Sequence, residues 1–289
     1  MLGLGVGDAL GAPFEGRPPS VAAASVARGL EMTGGGGWAP GEWTDDTAMA
    51  LALAESIAAR GLLDLDDVGQ RYIAWASGRA KGMGRATRTA LVGAGDAEEA
   101  RRRARAYFEA GHLAAGNGTV MRATPIALAA VSVDEAARAA RADATLTHGD
   151  PAAGDASAAL CAALLAVAAE ADPVEAALAE AGSHPALRQA IERAREEAAD
   201  ELALLARGRE RGACWTTLGI ALHAFLHSGG YEAGVTWAIS LGGDTDTNAA
   251  VAGALLGCRY GPEAIPAGWL EALRDRKRIE AAAEAVSRR

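Results

Sequence analysis

Aromatic residues are scarce in this chain, 4% of 289, and lysine occurs only at Lys81 and Lys277. Strands draw on β-branched and aromatic side chains, so their shortage beside abundant alanine argues against a sheet core and for closely packed helices, an all-α fold. Cysteine is limited to Cys161, Cys214 and Cys258, odd in number and far apart in apolar stretches. That pattern excludes a disulfide framework and suits reduced thiols in a cytoplasmic protein. Positive charge is short as well: the net charge is −9, which disfavours a broad nucleic-acid footprint. The opening Met1 to Asp8 has no basic region of a signal peptide, and no apolar run reaches membrane-spanning length without a polar interruption. The expectation is a soluble protein without a membrane partner. No Pro/Ser-rich linker, composition break or internal repeat divides the chain, so a single domain over 1–289 is expected.

What the chain does have is helical periodicity, over roughly 47–60, 65–77, 84–93, 97–110, 119–131, 133–143, 151–170, 173–182, 185–206, 213–227, 231–240, 247–257 and 267–286. The Arg- and Glu-dense stretch from Leu187 to Arg211 reads as a solvated helix face with intrahelical ion pairs. Two short acidic clusters stand before apolar, small-residue helices: Thr44-Asp45-Asp46-Thr47 and Gly243-Asp244-Thr245-Asp246-Thr247. Ordinary N-capping accounts for either alone. The helices that follow, however, are apolar nearly all round and therefore buried. An unpaired carboxylate at the mouth of a buried helix needs a cation or a raised pKa. Two unit charges about 4 Å apart repel by roughly 4 kcal/mol at an effective dielectric near 20, a repulsion that divalent cations remove. Ligands that are all oxygen favour magnesium, manganese or calcium over zinc.

Other segments carry weaker signals. Gly34 to Gly37 lacks the Lys-Ser/Thr of a P-loop and reads as a flexible loop. His223 and His227 lie four apart on a helix, but Ala224 stands where a zinc protease needs its Glu. Gly116-Asn117-Gly118-Thr119 is a tight turn before a helix, whose N–H groups suit an anionic phosphate. His148 precedes Asp150 and Pro151, a capped helix start that leaves the histidine unexplained. Glu15 sits in a Gly/Pro loop, where an acid can move.

Five segments taken in order resemble the ADP-ribosylglycohydrolase family, which includes the dinitrogenase-reductase-activating glycohydrolases. They are Gly7-Asp8-Ala9-Leu10-Gly11 with Glu15, Gly41-Glu42-Trp43-Thr44-Asp45-Asp46-Thr47, Gly116-Asn117-Gly118-Thr119-Val120-Met121-Arg122, Thr147-His148, and Gly242-Gly243-Asp244-Thr245-Asp246-Thr247. The resemblance implies a compact orthogonal multi-helix bundle with a central dinuclear cleft holding two divalent cations, Mg2+ or Mn2+. It implies one ion on Thr44, Asp45, Asp46 and Asp246, and the other on Asp244, Asp246 and Thr247. It further implies ADP-ribose bound by Gly116, Asn117, Gly118, Thr119, Met121 and His148, with Glu15 and Asp46 as catalytic carboxylates.

The reaction so implied is hydrolysis at the anomeric carbon of the distal ribose, releasing ADP-ribose from a protein side chain or another conjugate. The partner is then an ADP-ribosylated protein or small molecule, nucleic acid entering only as such a substrate, and the protein is expected to be a monomer. Some arginine-directed relatives place an acid where Ala114 stands, and others an aromatic where Ala115 stands. Without a carboxylate there for a guanidinium, arginine-linked ADP-ribose is expected to be a poor substrate. A two-metal phosphoester hydrolase and a non-catalytic crystallin-like or ADP-ribose-binding relative are the alternative readings.

Overall fold

In the computed structural model every residue is described except 79, 114, 198 and 289. The described residues form α-helices and no strand: α1 (Leu2–Gly11), α2 (Pro19–Val26), α3 (Asp45–Arg60), α4 (Leu65–Ser77), α5 (Arg85–Leu91), α6 (Ala97–Glu109), α7 (Thr124–Ala129), α8 (Val133–Ala144), α9 (Pro151–Ala168), α10 (Pro173–Glu180), α11 (Pro185–Arg193), α12 (Asp200–Arg207), α13 (Cys214–His227), α14 (Tyr231–Ser240), α15 (Thr245–Tyr260), α16 (Ala267–Ala272) and α17 (Arg276–Ser287). The all-α expectation holds.

The innermost layer is α1 against α15. Gly3, Gly7 and Gly11 recur every fourth residue, so they line one stripe of α1. A Cβ on any of them would overlap the backbone carbonyl of Gly253, Ala249 or Thr245 respectively. The two helices therefore touch backbone to backbone. The Tyr231 hydroxyl donates to the Gly3 carbonyl at 2.7 Å, and the Thr245 hydroxyl donates to the Gly11 carbonyl at 2.9 Å, fixing the register at both ends. This crossing puts Asp8 of α1 beside Asp246 of α15. Glycine is a poor helix former, and for that reason the sequence pattern begins its helices only at 47. Tertiary packing overrides the propensity.

α9 is the one helix among the described residues long and apolar enough to cross a bilayer, yet 72% of it is buried inside the protein. Its neighbours α8 and α10 are tied to it through Arg141, which donates to Asp155 at 2.7 Å and to Glu180 at 2.9 Å.

Three expected helices are shorter or divided. The stretch 185–206 is two helices, α11 and α12, because its cations pair across segments instead of along one face. Arg195 reaches Asp172 and Glu175 at 2.8 Å, and Arg193 pairs with Glu201. Folding back in this way buries Leu187 and Ile191 of α11 and Leu202 of α12. The stretch 267–286 divides at Asp275, whose φ of 52° is left-handed. There the Arg274 N–H donates to the Gly41 carbonyl at 3.0 Å, and the Trp43 indole donates to the Arg274 carbonyl at 3.1 Å. The break thus clamps the loop that leads into Thr44. The stretch 119–131 is helical only over α7, since Pro125 has no N–H and suits only the first turn of a helix, and Arg122 is held by buried partners.

The glycine seam makes a direct stability prediction. Gly7→Ala forces the α1 backbone off the α15 carbonyls and should destabilise by about 2 kcal/mol or more. Gly268→Ala, where an added Cβ meets nothing within 4 Å, should change stability by less than about 1 kcal/mol. Urea denaturation of the two variants beside wild type checks the contrast.

Candidate active site

α3 begins at Thr44, whose hydroxyl accepts from the Asp46 N–H at 3.3 Å and donates to Asp46 Oδ2 at 3.1 Å. Its first turn is buried, so the open N–H groups there need an acceptor that is not water. Asp8 supplies it. One carboxylate of α1 accepts from the Thr44 N–H and the Thr47 N–H at 3.0 Å and from the Thr47 hydroxyl at 2.6 Å. Asp8 has 0% exposure, and burial raises its pKa to about 6 against the pull of those donors. The sequence reading gave Asp8 no role. The available signal was an isolated acid within an otherwise apolar, glycine-striped segment, where a charge must find partners.

α15 brings the second cluster to the first. The Thr247 hydroxyl donates to Asp46 Oδ2 at 3.4 Å, bridging the two helix starts. Asp8, Asp46 and Asp246 each offer an oxygen within 4.8 Å of the others, and so do Glu15, Asp244 and Asp246. Asp246 belongs to both groups. Asp45 stands outside both, buried with its carboxylate against Gly82.

The charges are crowded. Burial first, then Asp8, Asp45 and Asp244, hold the Asp46 pKa well above the usual carboxylate range. Burial, then Asp244, Asp46 and Glu15, do the same for Asp246. Asp45 is raised to about 8 by burial and by Asp8, Asp244 and Glu15. Glu15 is exposed at the rim, but protein packed round its carboxyl still raises its pKa, helped by Asp244 and opposed by Arg211. Asp46 Oδ1 and Asp246 Oδ1 are buried without a hydrogen-bond partner. Orphaned carboxylate oxygens, converging and with no His or Cys among them, fit hard divalent cations.

Beside the acids lies the Gly116-Asn117-Gly118 turn. Asn117 Nδ2 donates to Asp244 Oδ2 and to the Thr217 hydroxyl, each at 2.9 Å, which links the turn to the carboxylates. Behind it is a buried chain of partners. Tyr72 donates to Asp143 at 3.0 Å, and Arg122 donates to Asp143 at 2.8 Å, to the Gly118 carbonyl at 3.1 Å and to the Thr147 hydroxyl at 2.8 Å. The same hydroxyl shares a hydrogen bond with His148 Nδ1, 2.8 Å away, which ties the ring to the Arg122 network. Nε2 faces Gly116 and Cε1 faces Gly118, each 3.0 Å from where a Cβ would stand. Burial and then Arg122 lower the His148 pKa to about 3. The ring is neutral. Thr119 and Met121 are not brought to the cleft: Thr119 donates to the Ala153 carbonyl at 2.9 Å, and Met121 packs in the core. Ala114 lies outside the described residues.

A cavity of about 390 Å³ joins these parts, with Glu15, Asp244 and Gly116 on its wall together with Arg211 and Trp215. An all-helical protein with carboxylates converging at paired helix starts, Glu15 and Asp244 among them on the wall of such a cavity, defines a class of hydrolase-like sites able to take a cation and a phosphorylated ligand. The comparisons with known proteins narrow that class. A family model described as ADP-ribosylglycohydrolase matches residues 1–289. The ADP-ribosyl-[dinitrogen reductase] glycohydrolase of Rhodospirillum rubrum is 31% identical over 94% of this chain and 88% of its own length. The ADP-ribosylarginine hydrolase Tri1 of Pseudomonas putida is 30% identical over 94% of this chain and 72% of its own length. A solved structure described as an ADP-ribosylglycohydrolase-related protein complex superposes with a TM-score of 0.75 at 38% identity, covering 99% of this chain and 95% of that one. The chain belongs to the ADP-ribosylglycohydrolase family, hydrolytic enzymes that release ADP-ribose from its conjugates.

The neutral His148 carries a pH prediction. Its folded pKa of about 3 lies below its ordinary 6.5, so the unfolded state binds the extra proton between those values. Stability is therefore full above pH 6.5 and falls as the pH drops toward 3. Between pH 7.5 and pH 5 this one group should remove about 2 kcal/mol. His148→Gln should lose correspondingly less over that interval, as urea midpoints at the two pH values will record.

Proposed function

We propose that the chain, as one domain over 1–289, is a divalent-metal-dependent hydrolase that cleaves the glycosidic bond between ADP-ribose and an acceptor on a protein or small-molecule conjugate. The observation that supports this reading most is the shared Asp246. It joins the buried Asp8 and Asp46 to Glu15 and Asp244, which line the same cavity as Gly116 of the Gly-Asn-Gly turn. Thr44, Asp46 and Asp246 would hold one magnesium or manganese ion, with Asp45 joining them once its carboxylate turns from Gly82, and Asp244, Asp246 and Thr247 would hold the other. Such a pair supplies Lewis acidity and cancels the mutual repulsion of the acids.

The chain's own groups do the remaining work. Gly116 and Gly118 carry backbone N–H groups of a kind that suits a diphosphate, and their missing side chains leave the room that the His148 ring occupies. His148 stands beside them as a neutral ring, since burial holds its pKa at about 3. Asn117, fixed by Asp244 and Thr217, holds the turn against the acids. A water attacks the anomeric carbon of the distal ribose as the bond to the acceptor breaks and positive charge develops on the ring, where the carboxylates favour it. The attacking water gives its proton to a carboxylate, and the leaving acceptor takes one up. Glu15, at the rim and with a raised pKa, suits the first role, with Asp46 as the second candidate.

Asp246→Asn should lower ADP-ribose release about a hundredfold or more, the scale set by removing one preorganised electrostatic group. It should also abolish the rise in melting temperature that magnesium gives the wild type. Near-wild-type release by this variant would remove the shared-site reading. Arginine-, serine- and nucleobase-linked ADP-ribose assayed in parallel identify the acceptor. The name of the Pseudomonas putida relative favours arginine, whereas Ala115 offers a guanidinium no carboxylate. Phosphate release from a generic ester without any ADP-ribose release would favour phosphoester chemistry instead.

A further inference from the structure

Arg122 has no exposure, and its guanidinium divides its donors among the Asp143 carboxylate, the Asp143 carbonyl, the Gly118 carbonyl and the Thr147 hydroxyl. Its flat face lies over the Tyr72 ring, 4.7 Å from the centroid. Asp143 supplies the counter-charge and accepts from the Tyr72 hydroxyl as well. One buried cation therefore reaches both ligand-facing parts of the site. It holds the glycine turn directly, through the Gly118 carbonyl, and His148 at one remove, through Thr147.

The Thr147 hydroxyl has one proton to give and lone pairs for two donors. Arg122 Nη1 takes up one lone pair at 2.8 Å. Among the described residues the hydroxyl's own proton has one acceptor in reach, His148 Nδ1 at 2.8 Å. A proton on Nδ1 would leave the hydroxyl facing two donors with its own proton unbonded, and Thr147 is 1% exposed. Buried polar groups avoid that arrangement. With the ring proton on Nε2, Arg122, Thr147 and Nδ1 are all satisfied. Nε2 itself has no hydrogen-bond partner among the described residues, and it is not sealed from solvent as His223 Nδ1 is. It stands beside Gly116, 3.0 Å from where a Cβ would be. His148 also lines a cavity of about 880 Å³ that shares Asp150 with the acid-lined cavity.

Resting on the hydrolase reading, we propose that Thr147 is a positioning residue: polarised by Arg122, its hydroxyl holds His148 as the Nε2–H tautomer and so presents that N–H, beside the glycine turn, to the anionic oxygens of ADP-ribose. The bond made by one ring nitrogen sets the role of the other. Here the tautomer decides the sign of the contact, because Nε2–H attracts a phosphate oxygen and an Nε2 lone pair repels it. Arg122 strengthens the hydroxyl as a donor, as one hydrogen bond polarises the next in a buried chain. Thr147 touches neither the substrate nor the bond that breaks.

The carbon-13 shift of Cδ2 and the nitrogen-15 shifts of the His148 ring distinguish the two neutral tautomers, and His148→Gln assigns those signals by removing them. Wild type at neutral pH should show Nε2–H. The Nδ1–H signature would overturn the proposal without any variant of Thr147. Calorimetric titration of the full chain with ADP-ribose, magnesium present, tests the consequence. Thr147→Val, which keeps the outline and removes the hydroxyl, should weaken binding about fivefold or more, whereas Thr147→Ser, which keeps the hydroxyl, should stay within about twofold. A glutamine at position 148 carries an amide donor that needs no hydroxyl to place its proton. In the His148→Gln background, Thr147→Val should therefore change the affinity by less than about twofold. Equal weakening in both backgrounds would reduce Thr147 to packing and overturn the proposal, as would unchanged affinity in Thr147→Val alone. Absence of any ADP-ribose binding to wild type would instead overturn the hydrolase reading and the ligand's part in this one, while the ring shifts still decide the tautomer.

Discussion

The backbone contact between α1 and α15 is the constraint on which the rest of the molecule depends. Three glycines at every fourth position let the carbonyls of one helix sit against the Cα atoms of the other, closer than side chains permit. That approach carries Asp8 to the N-terminus of α3 and Asp246 to within ligand distance of Asp8 and Asp46. A wider crossing would separate the carboxylates by the thickness of a side-chain layer. The seam is therefore a feature of the site as well as of the core.

Packing on this scale supplies what the acids oppose. Desolvation and mutual repulsion push up the pKa values of Asp8, Asp45, Asp46 and Asp246 together, so the fold holds a cluster that it disfavours electrostatically when no counter-charge is present. Helix N-termini offset part of this, since α3 and α15 both present their positive ends to the cluster. Next to it, the Tyr72–Asp143–Arg122–Thr147–His148 chain is buried and bonded from one end to His148 Nδ1, and it fixes the floor of the glycine turn without contributing to the acidic charge. The two halves of the site differ in kind: one holds carboxylate oxygens without partners, and the other is an internally bonded network.

Much of this was legible in the residues. Apolar periodicity marked most of the helices, and the two acidic motifs announced themselves by standing before helices with no polar face. α1 and Asp8 were not, because glycine lowers local helix propensity and only the distant α15 makes those glycines favourable. The divisions of 185–206 and 267–286 were equally hidden. Each depends on partners remote in sequence, Asp172 and Glu175 for the first and the loop at Gly41 for the second. Thr119 and Met121 show the reverse: within one motif stretch Asn117 reaches Asp244, whereas Thr119 bonds to the Ala153 carbonyl and Met121 packs in the core.

The glycine seam also has a consequence in time. Gly11 and Thr245, which meet through a hydrogen bond, are 234 positions apart, and at typical synthesis rates the ribosome needs about 10–50 s to cover that distance. Until α15 emerges, α1 has no surface to match its stripe, and the acidic cluster exists only as separated halves. A nascent chain thus carries Asp8, Asp45 and Asp46 in water, where they ionise normally and bind cations only weakly. The buried cluster comes into being in the same late step that closes the core, so the crowding of these carboxylates is imposed only when the rest of the fold is ready to hold them.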